Sequence, residues 1–321
     1  MKADTGDPQS ETLPADRLPV RTGKAVGYQL CGRGQVRCGF GAGEKGRFSG
    51  GTVRFMSVLH SACFQNRHLQ PATEPAMRSE ALFRDQPYLK STEAVVTGIN
   101  ERGGIILDRT VFYATSGGQP GDTGHLLRAD GSRIRVATTV TGLTKDDIIH
   151  VPAEGEALPE LGETVTAEID WDRRYRLMRM HTACHLLSAI CPFPVTGAAV
   201  DETDSRLDFD LPEAGWTKEA VTERLMELVE ADHPVYTRWI TEEELEANPS
   251  LVKSKNVRPP AGSGRIRLVC IGEDALVDSQ PCGGTHVART GEVGEVHIGK
   301  IEKKGRENRR FRIRFGPLPA Y

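Results

Sequence analysis

The chain lacks the features that would place it in a membrane or in an oxidising compartment. No apolar run approaches the ~18 residues that span a bilayer, and no apolar signal core follows its charged start. Its seven cysteines are an odd number, and Cys31, Cys38 and Cys63 fall in an atypical N-terminal stretch, so no paired disulfide framework is expected. A reducing, cytoplasmic setting with no membrane partner follows as the expectation. Strong net charge is missing too. The total is −3, but residues 1–76 hold 10 Lys/Arg against 6 Asp/Glu, which leaves −7 for the remainder. An acidic total argues against indiscriminate binding to DNA, while leaving room for a local basic surface.

Residues 1–76 carry 11 glycines and scattered charge, with no sustained period of 2 or 3.6. Such a segment buries no core, and the expectation is a disordered extension or a mis-assigned start. Asp4, Asp7, Glu11 and Asp16 are foreign to a transit peptide, whereas Met77 opens the first protein-like stretch.

From residue 93 short β-branched runs alternate with turn residues, at 94–99, 105–107, 111–113, 134–140, 148–151 and 165–169. They predict a small β-barrel within 77–170. A glycine-dense loop, residues 116–124, interrupts them and exposes backbone N–H groups. Beyond it, 171–321 predicts an α+β domain. Trp171–Ile190 reads as an amphipathic helix, 218–232 as a second, and Thr241 with Glu244 as a capping box before a short third that Pro249 ends. Strands are expected at 265–271, 275–277, 293–300 and 310–315.

Two motifs carry the chemistry. On a helix, His181 and His185 stand one turn apart on one face, where two imidazoles reach one ion at roughly 2.0–2.1 Å. Far downstream, Pro281-Cys282-Gly283-Gly284-Thr285-His286 places a thiol and an imidazole on a glycine turn. Three imidazoles and one thiolate suit Zn2+, one ion per chain. Asp278, just upstream, is a candidate partner for a ligand histidine.

With residues 107–124 (Leu107-Asp108-Arg109-Thr110-Val111-Phe112-Tyr113-Ala114-Thr115-Ser116-Gly117-Gly118-Gln119-Pro120-Gly121-Asp122-Thr123-Gly124), these two motifs resemble the free-standing alanyl-tRNA editing proteins, similar to the editing portion of alanyl-tRNA synthetase. The resemblance covers about 77–315. It implies a translation-type barrel followed by the zinc-containing α+β editing domain shared with threonyl-tRNA synthetases. It also implies His181, His185, Cys282 and His286 as metal ligands, and Gly117, Gly118 and Gln119 facing their cleft. The implied reaction is hydrolysis of the ester joining serine or glycine to alanine tRNA. Thr115 and Ser116 are candidates to read the serine hydroxyl, because size alone cannot exclude the smaller alanine. One position departs from the family: Ala199 stands where a glutamine is usual. A basic run including Lys303, Lys304, Arg306, Arg309 and Arg310, and another at Arg173, Arg174, Arg176 and Arg179, are candidates to meet RNA phosphates.

Two other readings stay open on sequence. One is a non-catalytic RNA-binding module with a structural zinc; the other is a zinc esterase or amidase for small substrates. No nucleophile-elbow serine, P-loop or aminoacylation module is evident, so synthetase activity is not expected. The oligomeric state is left open.

Overall fold

The computed structural model describes residues 78–319, apart from 144–145, 212–214, 260–263 and 274–275. The expectation for residues 1–76 therefore lies outside the described residues. All the described residues belong to one compact unit, His68–Tyr321.

A two-residue strand β1 (Glu80–Ala81) precedes β2 (Ser91–Ile99), β3 (Ile105–Leu107), β4 (Arg109–Thr110), β5 (Gly124–Arg128), β6 (Arg133–Thr141), β7 (Ile148–Pro152) and β8 (Thr164–Ile169). Six of these close into a barrel in the order β2-β3-β7-β6-β5-β8, while β1 and β4 form a short parallel pair. Alternation drives the closure. Val96, Ile105, Leu107, Leu126, Ile134, Val136, Val165 and Ala167 face inward and are buried, each contributing roughly 1.5–3 kcal/mol if large and fully enclosed.

The sequence assigned one barrel strand wrongly. Residues 111–113 pair with no strand; Val111 and Phe112 plug the barrel core as irregular backbone. The sixth strand is β5, whose glycine-rich approach and few inward apolar residues read as loop. The chain reaches β5 through a turn that Arg174 anchors from the next element. Arg174 is fully buried, and donates to both carboxylate oxygens of Asp122 and to the carbonyls of Val111 and Pro87.

Helix α1 (Trp171–Ile190) begins where the Asp170 carboxylate caps Arg173 N at 3.2 Å. Its boundaries match the sequence expectation, but its surroundings do not. Every residue from Met180 to Ser188 is buried, so the last half is enclosed on all sides rather than amphipathic. It lies against β10 (Asp204–Asp210), which pairs antiparallel with the preceding β9 (Val195–Ala199), and against α2 (Lys218–Glu230). Next come β11 (Val235–Ile240), the box-capped α3 (Glu242–Ala247), β12 (Ile266–Ile271), β13 (Asp278–Pro281), β14 (Val296–Lys303) and β15 (Asn308–Phe315). Two open sheets result, ordered β14-β15-β10-β9 and β11-β12-β13. The protein is thus a strand-rich α+β fold with a closed six-stranded barrel. Strands β9, β10 and β11 escaped the sequence reading. The expected run at 275–277 falls partly outside the described residues; the strand itself is β13. No helix among the described residues is long and apolar enough to cross a membrane.

Candidate metal centre

Helix α1 projects His181 and His185 from one face into its enclosed half, where both are buried. Opposite them, β13 delivers Cys282 and His286 on the turn that follows. The four ligand atoms lie within 4.8 Å of one another. Cys282 Sγ stands 3.6 Å from His181 Nε2 and 3.4 Å from His286 Nε2. A tetrahedral ion about 2.3 Å from sulfur and about 2.0–2.1 Å from nitrogen would separate those atoms by about 3.6 Å. The donors fit a metal ion, and their chemistry is compatible with zinc.

Each imidazole is held at its other nitrogen. His181 Nδ1 lies 2.8 Å from Gln119 Oε1, His185 Nδ1 2.9 Å from Asp278 Oδ2, and His286 Nδ1 3.1 Å from Thr182 Oγ1. Donation through Nδ1 leaves Nε2 free to ligate in all three rings, the arrangement metal-binding histidines adopt. Burial works to raise the Asp278 carboxyl, but His185 and Lys253 outweigh it and hold the group down at about 2. Burial likewise opposes ionisation of Cys282, while the imidazoles of His181 and His286 pull its thiol well below the ordinary value. Both acidic groups are therefore favoured in their ionised forms despite their burial.

The glycines act differently from the sequence expectation. Neither Gly283 nor Gly284 has a positive φ. Gly284 instead gives clearance: a Cβ there would collide with the His181 ring and meet Gln119 Oε1 at 2.8 Å. Open space surrounds Gly283. Arg267, 7% exposed, fixes the turn by donating to the carbonyls of Cys282 and Gly284 at 2.9 and 3.0 Å.

The barrel loop reaches the same place. Gly117 and Gly118, with φ of 56° and 87°, form a two-residue turn closed by Ser116 and Gln119. Gly118 O accepts from Val200 N at 2.8 Å, docking the turn beyond the end of β9 beside half-buried Ala199. Gln119 is fully buried and holds His181, Thr285 N at 3.1 Å and Thr285 Oγ1 at 2.8 Å. Thr115 spends its hydroxyl on the loop and on β6, accepting from Gly121 N and donating to Thr139 O. Gly117 and Gly118 are exposed, and Ser116 is half-buried.

The C-terminal basic candidates cluster on the β14–β15 hairpin. Arg310 is bidentate to Asp208, Lys304 pairs with Glu302 at 2.8 Å, and Arg306 stands 3.8 Å from Glu307. Arg309 donates to Gly305 O and Asn308 O, and Lys303 is exposed opposite it. Near α1, Arg173 pairs with Glu202 and Arg174 is buried on Asp122. Sequence reasoning overlooked Thr182 and Thr285, although both sit inside the motifs. It also overlooked Lys253, Gln280 and Arg267, for which no local signal exists.

A closed barrel, a sheet-borne glycine turn and a His/Cys cluster together define a relative of the editing parts of class II synthetases. The profile of tRNA synthetases class II (A) matches residues 69–173, and that of the threonyl and alanyl tRNA synthetase second additional domain matches residues 266–312. The alanyl-tRNA editing protein AlaX-M of Methanosarcina mazei is 37% identical over 243 residues, 73% of this chain and 95% of the relative. Its namesake in Saccharolobus solfataricus is 33% identical over 236 residues, 72% of this chain and 97% of the relative. The alanine–tRNA ligase of Pyrobaculum aerophilum is 40% identical over 237 residues, yet this chain spans only 26% of that ligase. The chain belongs to the alanyl-tRNA editing protein family, whose AlaX-M members it matches over nearly their whole length.

Proposed function

We propose that this protein is a trans-editing aminoacyl-tRNA deacylase of the cytoplasm, hydrolysing the ester of serine or glycine wrongly attached to alanine tRNA. Residues 77–170 serve as the translation-type barrel and 171–321 as the editing part. The observation that carries the reading is the convergence of His181, His185, Cys282 and His286, each imidazole oriented by a partner, in a member of the alanyl-tRNA editing family.

These four side chains would hold one Zn2+. When bound, zinc supplies Lewis acidity or a water acidified toward ~7. The rest is done by the chain. Gln119, Asp278 and Thr182 keep the imidazoles in one tautomer, Arg267 holds the turn, and the enclosed half of α1 excludes water from behind the centre. Discrimination needs a group that reads the serine hydroxyl, since a methyl-scale difference gives only ~1–3 kcal/mol. Thr115 is committed to its loop, whereas Ser116 Oγ makes no hydrogen bond among the described residues. Ser116 is therefore our candidate reader of the substrate hydroxyl. Lys303, with its neighbours on the hairpin, is our candidate contact for tRNA phosphates.

The test is hydrolysis of serine-charged and alanine-charged alanine tRNA, with and without a strong chelator. Chelator-sensitive loss of serine with alanine spared is expected. A folded, zinc-loaded protein that releases neither, even as Ala199→Gln, would reject the enzyme reading in favour of an RNA-binding module with a structural zinc.

A further inference from the structure

Trp239 breaks the usual pattern for a small edge strand: among the described residues β11 pairs only with β12, and this large ring is left 40% exposed on it. Its position relative to the metal centre is fixed by register. Trp239 is opposite Arg267 on β12, and Cys282 N donates to Arg267 O at 3.1 Å, continuing the β12–β13 ladder by one step. Directly opposed residues share a face. Indole, guanidinium and thiol therefore project to the same side, with the Trp239 and Cys282 backbones two strand spacings, about 10 Å, apart.

Among the described residues, the ring's partner is a cation. Arg265 lies 5.4 Å from its centroid, and Thr237 is its exposed neighbour on the same face, whereas Arg238 alternates to the other side of the strand. The next apolar side chain along that face of β12, Val269, is fully buried. A single exposed ring with the Arg265 guanidinium on it is a poor protein-docking patch, but it matches the platforms on which nucleobases stack. Between ring and thiol, Arg267 Nε is a buried donor with no hydrogen-bond partner among the described residues.

We propose that Trp239, with Arg265 on its ring, stacks the terminal nucleobase at the 3′ end of the aminoacylated RNA and so sets the ester at the metal centre. This rests on the function proposed above. Because every base has a π-face, the platform would give affinity without sequence choice, leaving recognition of the particular tRNA to other surfaces.

The experiment has two arms on the full chain. In the first, the oligoribonucleotide ACCA is titrated while tryptophan emission is followed; quenching is expected in wild type and absent from Trp239→Phe. A labelled ACCA should bind Trp239→Ala on the order of 10-fold more weakly by anisotropy, and Trp239→Phe nearly normally. In the second, deacylation by Trp239→Ala should show KM raised on the order of 10-fold with kcat little changed, and Arg265→Ala a smaller rise. Persistent quenching in Trp239→Phe, or an unchanged ACCA affinity in Trp239→Ala, overturns the proposal. A change of oligomeric state with RNA affinity intact would make the ring a protein contact instead. If wild type deacylates nothing, the enzyme reading fails while the ACCA arm still decides the platform.

Discussion

Gln119 Oε1 lies 2.8 Å from Nδ1 of His181, so the turn of the barrel orients an imidazole on the helix. The same amide oxygen accepts from Thr285 N, and the amide nitrogen donates to Thr285 Oγ1. Barrel, helix and cysteine turn are thus tied at one buried side chain. Gln119→Ala would leave His181 Nδ1 unpartnered, and metal affinity should fall ~10–100-fold. Competition against a calibrated chelator measures it; unaltered affinity would remove Gln119 from any positioning role.

Gly283 and Gly284 make a paired test. Gly284→Ala drives a methyl into the His181 ring, which α1 and Gln119 keep from yielding, and should abolish stoichiometric metal content. Gly283→Ala meets open space at a backbone angle that alanine accepts, and should bind metal as wild type does. Elemental analysis of the two purified variants decides, and equal metal content would refute the clearance argument.

Arg174 and Asp122 are both dry, at 0% and 1% side-chain exposure. Asp122→Ala strands a buried guanidinium and should cost about 3–5 kcal/mol. Replacing both partners, as Arg174→Met with Asp122→Leu, should cost less than the single change, since no charge is then stranded. Urea denaturation of wild type, single and double variants gives the comparison. A double variant weaker than the single would contradict it.

Acid should weaken the barrel through His150. Burial lowers this histidine from 6.5 to about 4, and the neutral ring is satisfied by Thr110 Oγ1 at 2.8 Å and Ile105 O at 3.0 Å. Below the unfolded value only the unfolded chain takes up the proton. The contribution is therefore complete above pH 6.5 and declines as pH falls toward 4, at about 1.4 kcal/mol per pH unit. Asp278, held down at about 2, adds its own loss only at lower pH. His150→Gln should flatten the change in urea midpoint between about pH 6.5 and 4.5; a slope equal to wild type would show that His150 is not its source.

What was legible in the sequence was local. Periodicity delimits α1, and Thr241 with Glu244 marks α3, because these signals sit within a few residues of what they specify; the Asp170 cap of α1 emerged only in the structure. The two metal motifs were legible for the same reason. What escaped depends on distant partners. Val111 and Phe112 have strand-like side chains, yet they fill the barrel without pairing, and β5 hides behind the glycines that deliver it. The enclosure of α1 comes from elements far along the chain. The basic run near the C-terminus was visible as composition, but its neutralisation by Asp204, Asp208 and Glu302 follows from cross-strand register, such as Asp208 opposite Arg310. Lys253 and Arg267 carry no signal at all, since only the assembled sheets bring them to Asp278 and to the cysteine turn.

The separation of the two ligand pairs also has a temporal meaning. Cys282 lies 101 positions after His181, so the histidine pair leaves the ribosome long before the cysteine turn exists. Barrel strands made earlier can pair as they emerge. The nascent helix meanwhile offers two imidazoles, and the four-donor set that could hold an ion is complete only with β13 and its turn. Were a metal held there, its capture would follow the completed translation of this region, and a chain truncated before Cys282 would lack two of the four donor side chains.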